Sequence, residues 1–291
     1  MPDFIENAYA KINLTLDITG KRADGYHTLR SIFQSVTLCD RVSLTRLSDG
    51  KVHVSSDNPA LPCGEENTVY RAAKAFFAAT GAVNCGVSFH LEKNIPWQAG
   101  LGGGSADAAS ALHLLNRCFS TKLSDRELSE IGVTVGADVP FCLLGGTALA
   151  EGIGEKLTPL PPLPPCYIVL CKPAMGIETK KAYQAIDRHG FSMDGDTEKM
   201  IAQLRHGSLP GIAKHVGNAF EKVMSLPEVS NIKYQMLEFG ADGACMTGSG
   251  STVFGLFRQE EQAKICAEQL LNRYPNVFLC RPYHPKHTFA E

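Results

Sequence analysis

Hydrophobic and polar residues alternate along residues 8–18, AYAKINLTLDI. Because successive side chains of a strand point to opposite faces, this pattern predicts a β-strand with one apolar and one polar face. The apolar face carries Ile12, Leu14, Leu16 and Ile18, and the polar face carries Lys11, Asn13, Thr15 and Asp17. Asp24 and Gly25 then give a turn signal before a second strand. The segment ADGYH is therefore expected at the tip of a hairpin, near the polar face that carries Lys11.

Apolar residues elsewhere recur every three or four positions, which is typical of helices. Helices are predicted over residues 66–80, from a Ser124–Glu127 capping box to about Gly136, and in the segments ETKKAYQAI, IAKHVGNAFEKVM and EQAKICAEQLLNRY. Strands are predicted at GVSFHL, at CYIVLC and on both sides of the glycine-serine turn in FGADGACMTGSGSTVFGLF. Strands and helices do not alternate strictly, so the predicted fold class is α+β rather than a doubly wound sheet.

Five prolines lie between residues 159 and 165, directly before the strand CYIVLC. Such a segment can neither continue a helix nor pair inside a sheet, so we place a domain boundary near it. A chain of 291 residues has room for two ordinary domains. We therefore expect an N-terminal domain at residues 1–157 and a C-terminal domain at residues 158–291.

The 28 basic and 30 acidic residues nearly cancel, so the charge gives no reason to expect nucleic acid or an anionic membrane as a partner. The N-terminus lacks the pattern of a signal or transit peptide, and no run of about 18 apolar residues could span a bilayer. The ten cysteines form no C-x-x-C motif and lie mostly among apolar residues, which predicts free thiols in a reducing compartment. A cytoplasmic protein is expected, either a monomer or a homodimer.

Four glycines are concentrated in IPWQAGLGGGSADAASAL, residues 95–112, before a segment with helical periodicity. Ser105 is expected to cap this helix, and Asp107 is expected in its first turn. With the strand GVSFHL upstream, the order is strand, glycine loop, helix. Unpaired N–H groups and a partial positive charge at a helix start attract anions, so this order is typical of a phosphate-binding site.

The glycine loop has three other interpretations. A P-loop is excluded because no lysine follows the glycines. A dinucleotide fingerprint, which would indicate a nicotinamide- or flavin-dependent oxidoreductase, stays open with Ser105 as the third small residue. Two features disagree with a dinucleotide fingerprint. That motif joins strand and glycines by a tight turn, whereas here the segment EKNIPWQAG lies between them. The motif also needs an acidic residue at the end of a second strand, whereas Asp125 is predicted to open a helix. A glycine loop without a ligand is a further interpretation.

The segment PWQAGLGGGSA closely resembles the second sequence motif of the GHMP kinases, the superfamily that includes galactokinase, homoserine kinase and mevalonate kinase. Three further segments, AYAKINLTLDITGKRADGYH, GADVPF with AEGIGE behind it, and MTGSGSTVFGLF, resemble the kinases of this superfamily that act on 4-diphosphocytidyl-2-C-methyl-D-erythritol. One departure is visible, because Ala106 stands where the family often has a second serine. A hydroxyl contact to phosphate or metal would then depend on Ser105 alone.

The resemblance implies a two-domain GHMP kinase fold with its active site in the cleft between the domains, and with hairpin residues 10–29 leaning on the second domain. It implies transfer of a phosphoryl group from ATP, accompanied by Mg²⁺, to the 2-hydroxyl of the cytidyl alcohol in the non-mevalonate route to isoprenoid precursors. Asp138 is the implied general base, and Lys11 is its charge partner. From the residues alone, Asp138 could also be a helix cap and Lys11 a solvated lysine.

The resemblance also implies which residues bind the two substrates. Asn67 is expected at the adenine, and the Ser105 hydroxyl is expected at phosphate or Mg²⁺. The other expected ATP contacts are Pro96, Gly100, Leu101, Gly102, Gly103, Gly104 and Ala106. The expected contacts of the cytidyl substrate are Asn13 at the erythritol hydroxyls, Tyr26 and His27 at the cytosine, Tyr183 as the opposite stacking wall, and Lys93 as a further cytidine contact.

Two related functions stay open at this point. A sister kinase acting on a small alcohol would share the glycine loop and would lack the cytidine contacts. A nucleotide-binding regulator would bind ATP without turnover. The second glycine turn, TGSGS at residues 247–251, is expected near the substrate phosphates or near Lys11 and Asp138, with a plain hairpin turn as the alternative.

Overall fold

A computed structural model describes residues 1–83, 85–190 and 196–285 of the chain. They form two compact units. The first consists of Met1–Ala10, Leu38–Ile95 and Gly102–Leu144, and the second of Lys11–Thr37, Pro96–Leu101 and the described residues from Gly145 onward. The expected domain limits at residues 157 and 158 stay a prediction.

Two long strands contribute to both units. Strand β1 spans Phe4–Lys21, strand β2 spans His27–Arg46, and residues 22–26 form the turn between them. This confirms the hairpin that the alternation predicts. The division between the units falls after Ala10 in β1 and after Thr37 in β2, so the tip of the hairpin belongs to the second unit.

The described residues of the first unit form a sheet and four helices. Besides its parts of β1 and β2, it contains β3 (Val52–Ser56), α1 (Thr68–Thr80), β4 (Val87–Glu92), α2 (Gly103–Cys118), α3 (Asp125–Val135) and α4 (Val139–Leu144). The strand order is β3–β4–β2–β1, with β3 parallel and β2 antiparallel to β4. The predicted helix at 66–80, the capping box of α3 and the strand GVSFHL are all confirmed.

A single hydrophobic cluster fixes the glycine-led helix α2 within the first unit. The cluster includes Val69 and Phe76 of α1, Leu112 and Leu115 of α2, and Phe89 of β4. These are the positions that the helical and alternating patterns place on buried faces. Burying each of the larger side chains contributes about 1.5–3 kcal/mol, so the position of α2 is strongly determined by packing.

The second unit is larger and is built around a separate antiparallel sheet. Besides its parts of β1 and β2, it contains β5 (Thr147–Glu151), β6 (Lys156–Pro159), β7 (Tyr167–Lys172), α5 (Thr179–His189), α6 (Asp196–His206), α7 (Leu209–Ala213), β8 (Gly217–Asn218), α8 (Ala219–Val223), α9 (Pro227–Glu238), β9 (Gly243–Met246), β10 (Val253–Phe257), α10 (Glu260–Leu271) and β11 (Asn276–Cys280). The sheet order is β11–β7–β10–β9, and α9 and α10 pack against it. Pairing of β9 with β10 confirms the predicted strands around the second glycine turn.

Both faces of β1 are buried in the second unit. The apolar face is buried at Ile12 and Leu14, as predicted, but Lys11 is only 4% exposed and Asn13 only 2% exposed. The alternating pattern therefore gives β1 an apolar face and a polar face that are both buried, and the polar face is not exposed to solvent. Because buried polar groups require hydrogen-bond partners, the partners of Lys11 and Asn13 define a polar cluster inside this unit.

Two local predictions are wrong. The segment IAKHVGNAFEKVM is not one helix, since β8 pairs in parallel with β1 between α7 and α8 and interrupts it. The proline-rich segment also begins inside a strand, because Pro159 pairs with Ala148 at the end of β6. Pairing is possible there because β6 lies at a sheet edge, with β5 as its one neighbour among the described residues, where a missing N–H is tolerated.

All ten cysteines are free thiols, as predicted, and the reducing compartment stays a prediction. Six of them are buried, and burial raises the pKa of Cys166, Cys171 and Cys266 to about 12. These thiols therefore stay protonated and unreactive near neutral pH. In the part of the chain that the structure describes, no helix has the length and apolar character needed to cross a membrane.

Candidate active site

The glycine loop leads into α2 earlier than the sequence predicts. Helix α2 begins at Gly103 after the N-cap residue Gly102, and no side chain caps it. The prediction that Ser105 caps the helix is wrong, because Ser105 lies within the first turn. Asp107 lies beyond that turn and not within it, which corrects the second expectation. The uncapped first turn leaves N–H groups that can receive an anion, and Gly104 is exposed.

The start of α1 holds this first turn in place. The Thr68 hydroxyl donates to the Gly104 carbonyl at 2.6 Å. Asn67 caps α1 by accepting from the Val69 N–H at 2.8 Å, and its amide donates to the Pro62 carbonyl at 2.6 Å. The side chain of Asn67 is thus engaged in local structure, and its expected contact with adenine stays a prediction. Sequence reasoning missed Thr68.

The burial of Ala106 gives a structural reason for the departure from the two-serine pattern. Its side chain is 1% exposed and belongs to the hydrophobic cluster of the first unit. A hydroxyl at this position would lie in the core and not on the surface of the first turn. Ser105 is partly exposed, and its expected contact with phosphate or metal stays a prediction.

A buried ion cluster ties the glycine helix to the segment that precedes the glycines. The Lys93 ammonium contacts the carboxylates of Asp40 on β2 and Asp107 on α2. The other Asp40 oxygen accepts from the N–H groups of Asn94 at 2.6 Å and Ile95 at 2.8 Å. Three separate parts of the first unit are joined in this way. Lys93 was expected at the cytidine, which stays a prediction, and sequence reasoning missed both carboxylates as its partners.

The ion cluster holds more negative than positive charge. Burial opposes the charge of Lys93, but Asp107 and Asp40 together outweigh that effect and raise the pKa of Lys93. Burial raises the pKa of Asp107 to about 7, against the lowering effect of Lys93 and with a further raising effect of Asp40. One Asp107 oxygen finds no hydrogen-bond partner among the described residues. A proton on Asp107 would make the cluster neutral.

We expect Asp107→Asn to remove a loss of stability that the wild-type protein suffers at alkaline pH. Asp107 has a pKa of about 7 in the folded protein, against about 3.9 in the unfolded chain. Wild-type stability is therefore lost as the pH rises through this interval, whereas the asparagine variant carries no such ionisation. Relative to wild type, the free energy of unfolding of the variant should therefore rise by about 1–3 kcal/mol between pH 5 and pH 8. Urea unfolding at both pH values measures this gain.

The control for this prediction is Asp125→Asn. Asp125 is exposed in the first turn of α3, where an acidic residue helps the helix slightly. Its replacement should cost a few tenths of a kcal/mol at both pH values. A loss of stability in Asp107→Asn that is as large near pH 8 as near pH 5 would contradict the account of the ion cluster.

In the second unit, Lys11 is held by a polar and an aromatic neighbour. Its ammonium donates to Asn13 Oδ1 at 2.9 Å and lies 4.4 Å from the centre of the Phe33 ring. Its backbone N–H donates to the Leu101 carbonyl at 3.0 Å. A buried cation thus lies beside the glycine loop within this unit, where low dielectric strengthens its attraction for negative charge.

Asn13 connects β1 to the second glycine turn. Its side-chain oxygen also accepts from the Thr247 hydroxyl at 3.2 Å and from the Gly248 N–H at 3.0 Å. Its amide group donates to the Ser31 hydroxyl at 2.8 Å. Asn13 is therefore a structural link as well as an expected contact for the erythritol hydroxyls, and that contact stays a prediction. The TGSGS turn lies beside Asn13, one of the expected substrate contacts.

The two glycine motifs meet backbone to backbone in the second unit. Gly100 and Gly248 both have positive φ angles, +75° and +59°. A Cβ atom on Gly100 would lie 2.5 Å from the Thr247 carbonyl oxygen, and one on Gly248 would lie 2.9 Å from the Gly100 carbonyl oxygen. Any larger residue would force the turn and the loop apart. Both glycines are thus required by close approach as well as by conformation.

His27 is held at the tip of the hairpin by residues of α5. Its Nε2 atom lies 2.7 Å from Asp187, which also pairs with Lys21 at 2.6 Å. Hydrogen bonds from Lys21, and then from His27, lower the pKa of Asp187. The His27 ring stacks directly on Tyr183, with ring centres 4.6 Å apart, and Tyr26 is 62% exposed.

This arrangement bears on how a cytosine could bind. His27 and Tyr183 are already in contact, so a base does not fit between these two rings as they stand. The exposed ring of Tyr26 is accessible to a base. The expected roles of Tyr26, His27 and Tyr183 stay predictions, and sequence reasoning missed Asp187.

Asp138 lies in the first unit, immediately before α4. The Val139 N–H donates to the Gly136 carbonyl and the Cys142 N–H donates to the Asp138 carbonyl, both at 3.1 Å. Asp138 thus occupies a short, well-determined turn between α3 and α4, as the sequence predicts, and it is partly exposed. Its partnership with Lys11 stays a prediction.

The predicted metal contact at the glycine helix is the Ser105 hydroxyl. Across residues 1–83, 85–190 and 196–285, no three histidine, cysteine, aspartate or glutamate side chains are grouped so that they could hold a metal ion. The hydroxyl of Ser105, in the first turn of α2, is a hard oxygen donor of the kind that Mg²⁺ accepts. Such an ion would complete its coordination with phosphate oxygens and waters.

Comparison with known proteins agrees with the fold and the motifs. The family model for the GHMP kinases N terminal domain matches residues 67–146, and the model for GHMP kinases C terminal matches residues 200–276. The chain is 43% identical over 277 residues to the 4-diphosphocytidyl-2-C-methyl-D-erythritol kinase of Clostridium tetani, with 94% of this chain and 98% of the relative covered.

Solved structures show the same likeness. A crystal structure of 4-(cytidine 5'-diphospho)-2C-methyl-D-erythritol kinase is 35% identical, with a TM-score of 0.79 and coverage of 97% of this chain and 100% of that one. A homoserine kinase from Cytophaga hutchinsonii is 21% identical, with a TM-score of 0.74 and 94% of each chain covered, and it shares the fold. The predicted α+β GHMP kinase fold is confirmed. The chain therefore belongs to the GHMP kinases, in the branch formed by the 4-diphosphocytidyl-2-C-methyl-D-erythritol kinases.

Proposed function

We propose that the chain transfers the γ-phosphoryl group of ATP to the 2-hydroxyl of 4-diphosphocytidyl-2-C-methyl-D-erythritol, in the non-mevalonate route to isoprenoid precursors. The observation that carries the proposal is the accessible, uncapped start of α2 at Gly102–Ser105, in a chain of this family. The products are ADP and the 2-phosphate of the cytidyl alcohol. The substrate is the one named for relatives that match nearly the whole chain.

ATP binds through its phosphates at the glycine loop in this proposal. Backbone N–H groups of residues 102–105 surround the phosphate oxygens, and the partial positive charge of a 16-residue helix adds to the attraction. Pro96, Gly100, Leu101 and Ala106 shape the loop. Asn67 lies at the start of the neighbouring helix α1 and contacts the adenine.

Mg²⁺ would accompany ATP, and in this chain the Ser105 hydroxyl would help to hold it. When bound, it neutralises charge on the triphosphate. The ion cluster of Lys93, Asp40 and Asp107 lies at the second turn of the same helix. We assign it to holding α2 in place.

Asp138 and Lys11 act on the accepting hydroxyl. The 2-oxygen forms a bond to the γ-phosphorus while the bond from that phosphorus to the β-phosphate bridging oxygen breaks, and ADP leaves. An alcohol proton is too weakly acidic to be removed first, so Asp138 takes it late, as the phosphoryl group arrives. The Lys11 ammonium stabilises negative charge on the attacking oxygen and orients the Asp138 carboxylate.

The cytidine end of the substrate lies at the hairpin tip. Tyr26 packs on the cytosine, His27 hydrogen-bonds its polar edge, and Tyr183 supplies a second stacking surface once its contact with His27 opens. Asn13 contacts the erythritol hydroxyls. Lys93 is a further cytidine contact in this proposal, although its ammonium also contacts two carboxylates.

ADP release in a coupled assay tests the proposal. With ATP and Mg²⁺ present, we expect turnover with the cytidyl alcohol and none with homoserine or mevalonate. CMP and CDP should raise the melting temperature, since they occupy the cytidine site. Turnover with another alcohol instead would indicate a sister kinase, binding of ATP without turnover would indicate a regulator, and preference for NAD over ATP would indicate an oxidoreductase.

A further inference from the structure

Strand β8 consists of two residues that lie next to the strand carrying Lys11 and Asn13. Gly217 pairs with Thr15 and Asn218 pairs with Leu16, in parallel. Asn218 is 3% exposed, so its amide group is buried and needs partners. No feature of the GNAFEK sequence distinguishes this asparagine from an ordinary helix cap.

The side chain of Asn218 has two separate functions. Its oxygen accepts from the Phe220 N–H at 2.9 Å and so caps α8. Its nitrogen donates to the Met246 carbonyl and to the Gly248 carbonyl, each at 2.9 Å. The first function is local, whereas the second reaches across to the TGSGS turn.

Glu221, one turn further along α8, binds the backbone N–H of Met246, the residue whose carbonyl Asn218 binds. Its carboxylate accepts from the Met246 N–H at 2.6 Å, and its second oxygen pairs with Lys233. The N–H and the carbonyl of Met246 are therefore both bound by side chains of the β8–α8 segment. This leaves little freedom for the chain where it enters the turn.

On its other side the turn meets Asn13 and Gly100. The Gly248 N–H donates to Asn13 and its carbonyl accepts from Asn218, so opposite sides of one residue are held by two buried asparagines. From this arrangement we infer that Asn218 is a positioning residue for the kinase reaction, because it sets the TGSGS turn against Asn13 and the Gly100 loop. The inference rests on the proposed function.

Asn218→Asp separates the two functions of this side chain. The aspartate keeps the oxygen that caps α8, but a carboxylate has no donor for the two carbonyl groups. When protonated, it regains one donor. A carboxyl buried among carbonyl oxygens favours the protonated form, so the defect should appear as the pH rises.

We expect kcat/KM of Asn218→Asp to fall about 10- to 100-fold below wild type near pH 8, since small misplacements at an active site have effects of this size. The ratio of variant to wild type should recover near pH 5.5. Hydrogen exchange of the amides of residues 246–250 should be faster in the variant near pH 8 and should slow towards the wild-type rate at the lower pH.

The matched control is Asn116→Asp. Asn116, in the last turn of α2, donates to the Leu123 carbonyl at 2.9 Å and accepts from the Leu123 N–H at 3.0 Å, beyond the end of the helix. Its variant should lose stability without a pH-dependent change in the activity ratio. If Asn218→Asp fails to fold near pH 8, Asn218→Ser takes its place in the test. Serine keeps a capping oxygen but lacks the reach of the amide, so this variant should have a lower kcat at every pH.

The inference is overturned if the activity ratio of Asn218→Asp does not change with pH, or if exchange in residues 246–250 matches wild type. It is also overturned if Asn218→Ser has wild-type kcat. A wild-type protein without kinase activity would instead contradict the proposed function, and the exchange measurement would still decide whether Asn218 holds the turn.

Discussion

Asp138→Asn is expected to lower kcat by about 10²–10⁴ while leaving ATP binding nearly unchanged. Asparagine has almost the same shape and can keep the short turn before α4, because that turn is held by backbone hydrogen bonds. It cannot accept the proton of the substrate hydroxyl. The loss should therefore fall on the chemical step, which steady-state kinetics measures as a change in kcat with little change in KM for ATP.

The control for Asp138→Asn is again Asp125→Asn, which removes an exposed carboxylate from the first turn of α3. It should retain wild-type kcat. Turnover near the wild-type rate in Asp138→Asn would show that Asp138 is not the base. A loss of ATP binding as large as the loss of kcat would indicate that Asp138 has a structural role.

Lys11→Met is expected to lower kcat by about 10²–10³, because it removes a buried positive charge that acts on the attacking oxygen. Methionine keeps most of the side-chain volume over the Phe33 ring. Asn13 Oδ1 loses one donor but retains the Thr247 hydroxyl and the Gly248 N–H. The fold should therefore persist, and the melting temperature checks that it does.

Lys264→Met, which removes an exposed lysine paired with Glu260 on α10, serves as the control and should have wild-type kcat. The double variant Lys11→Met/Asp138→Asn should lose about as much kcat as the more damaging single variant, because groups that act as a unit are not additive. If the kcat losses of the two single variants multiply in the double variant, Lys11 and Asp138 do not act together on one hydroxyl.

Much of the local structure could be predicted because it depends on short-range patterns. Alternation in residues 8–18 gives β1, and apolar periodicity together with the Ser124 cap gives α1 and α3. The glycines at 100–104 indicate a helix start that accepts an anion. Its boundary was misplaced by three residues, because Gly102 in a left-handed conformation took the cap position that was predicted for Ser105.

The contacts that hold the site could not be predicted, since each joins residues far apart in the chain. Asp40 and Lys93 are 53 positions apart, and Asn13 and Thr247 are 234 apart. The helix predicted across residues 212–224 failed for the same reason, because pairing of β8 with β1 overrides a local helical pattern. The contacts of buried Asn13 with Thr247 and Gly248 likewise join opposite ends of the sequence.

The most direct test of the central claim is ³¹P NMR of the product formed from ATP, Mg²⁺ and 4-diphosphocytidyl-2-C-methyl-D-erythritol. The account predicts a new phosphomonoester resonance on the cytidyl alcohol, at the 2-position, that grows in step with ADP and is nearly absent with Asp138→Asn. Formation of ADP with inorganic phosphate alone, or an undiminished phosphomonoester signal from Asp138→Asn, would contradict it.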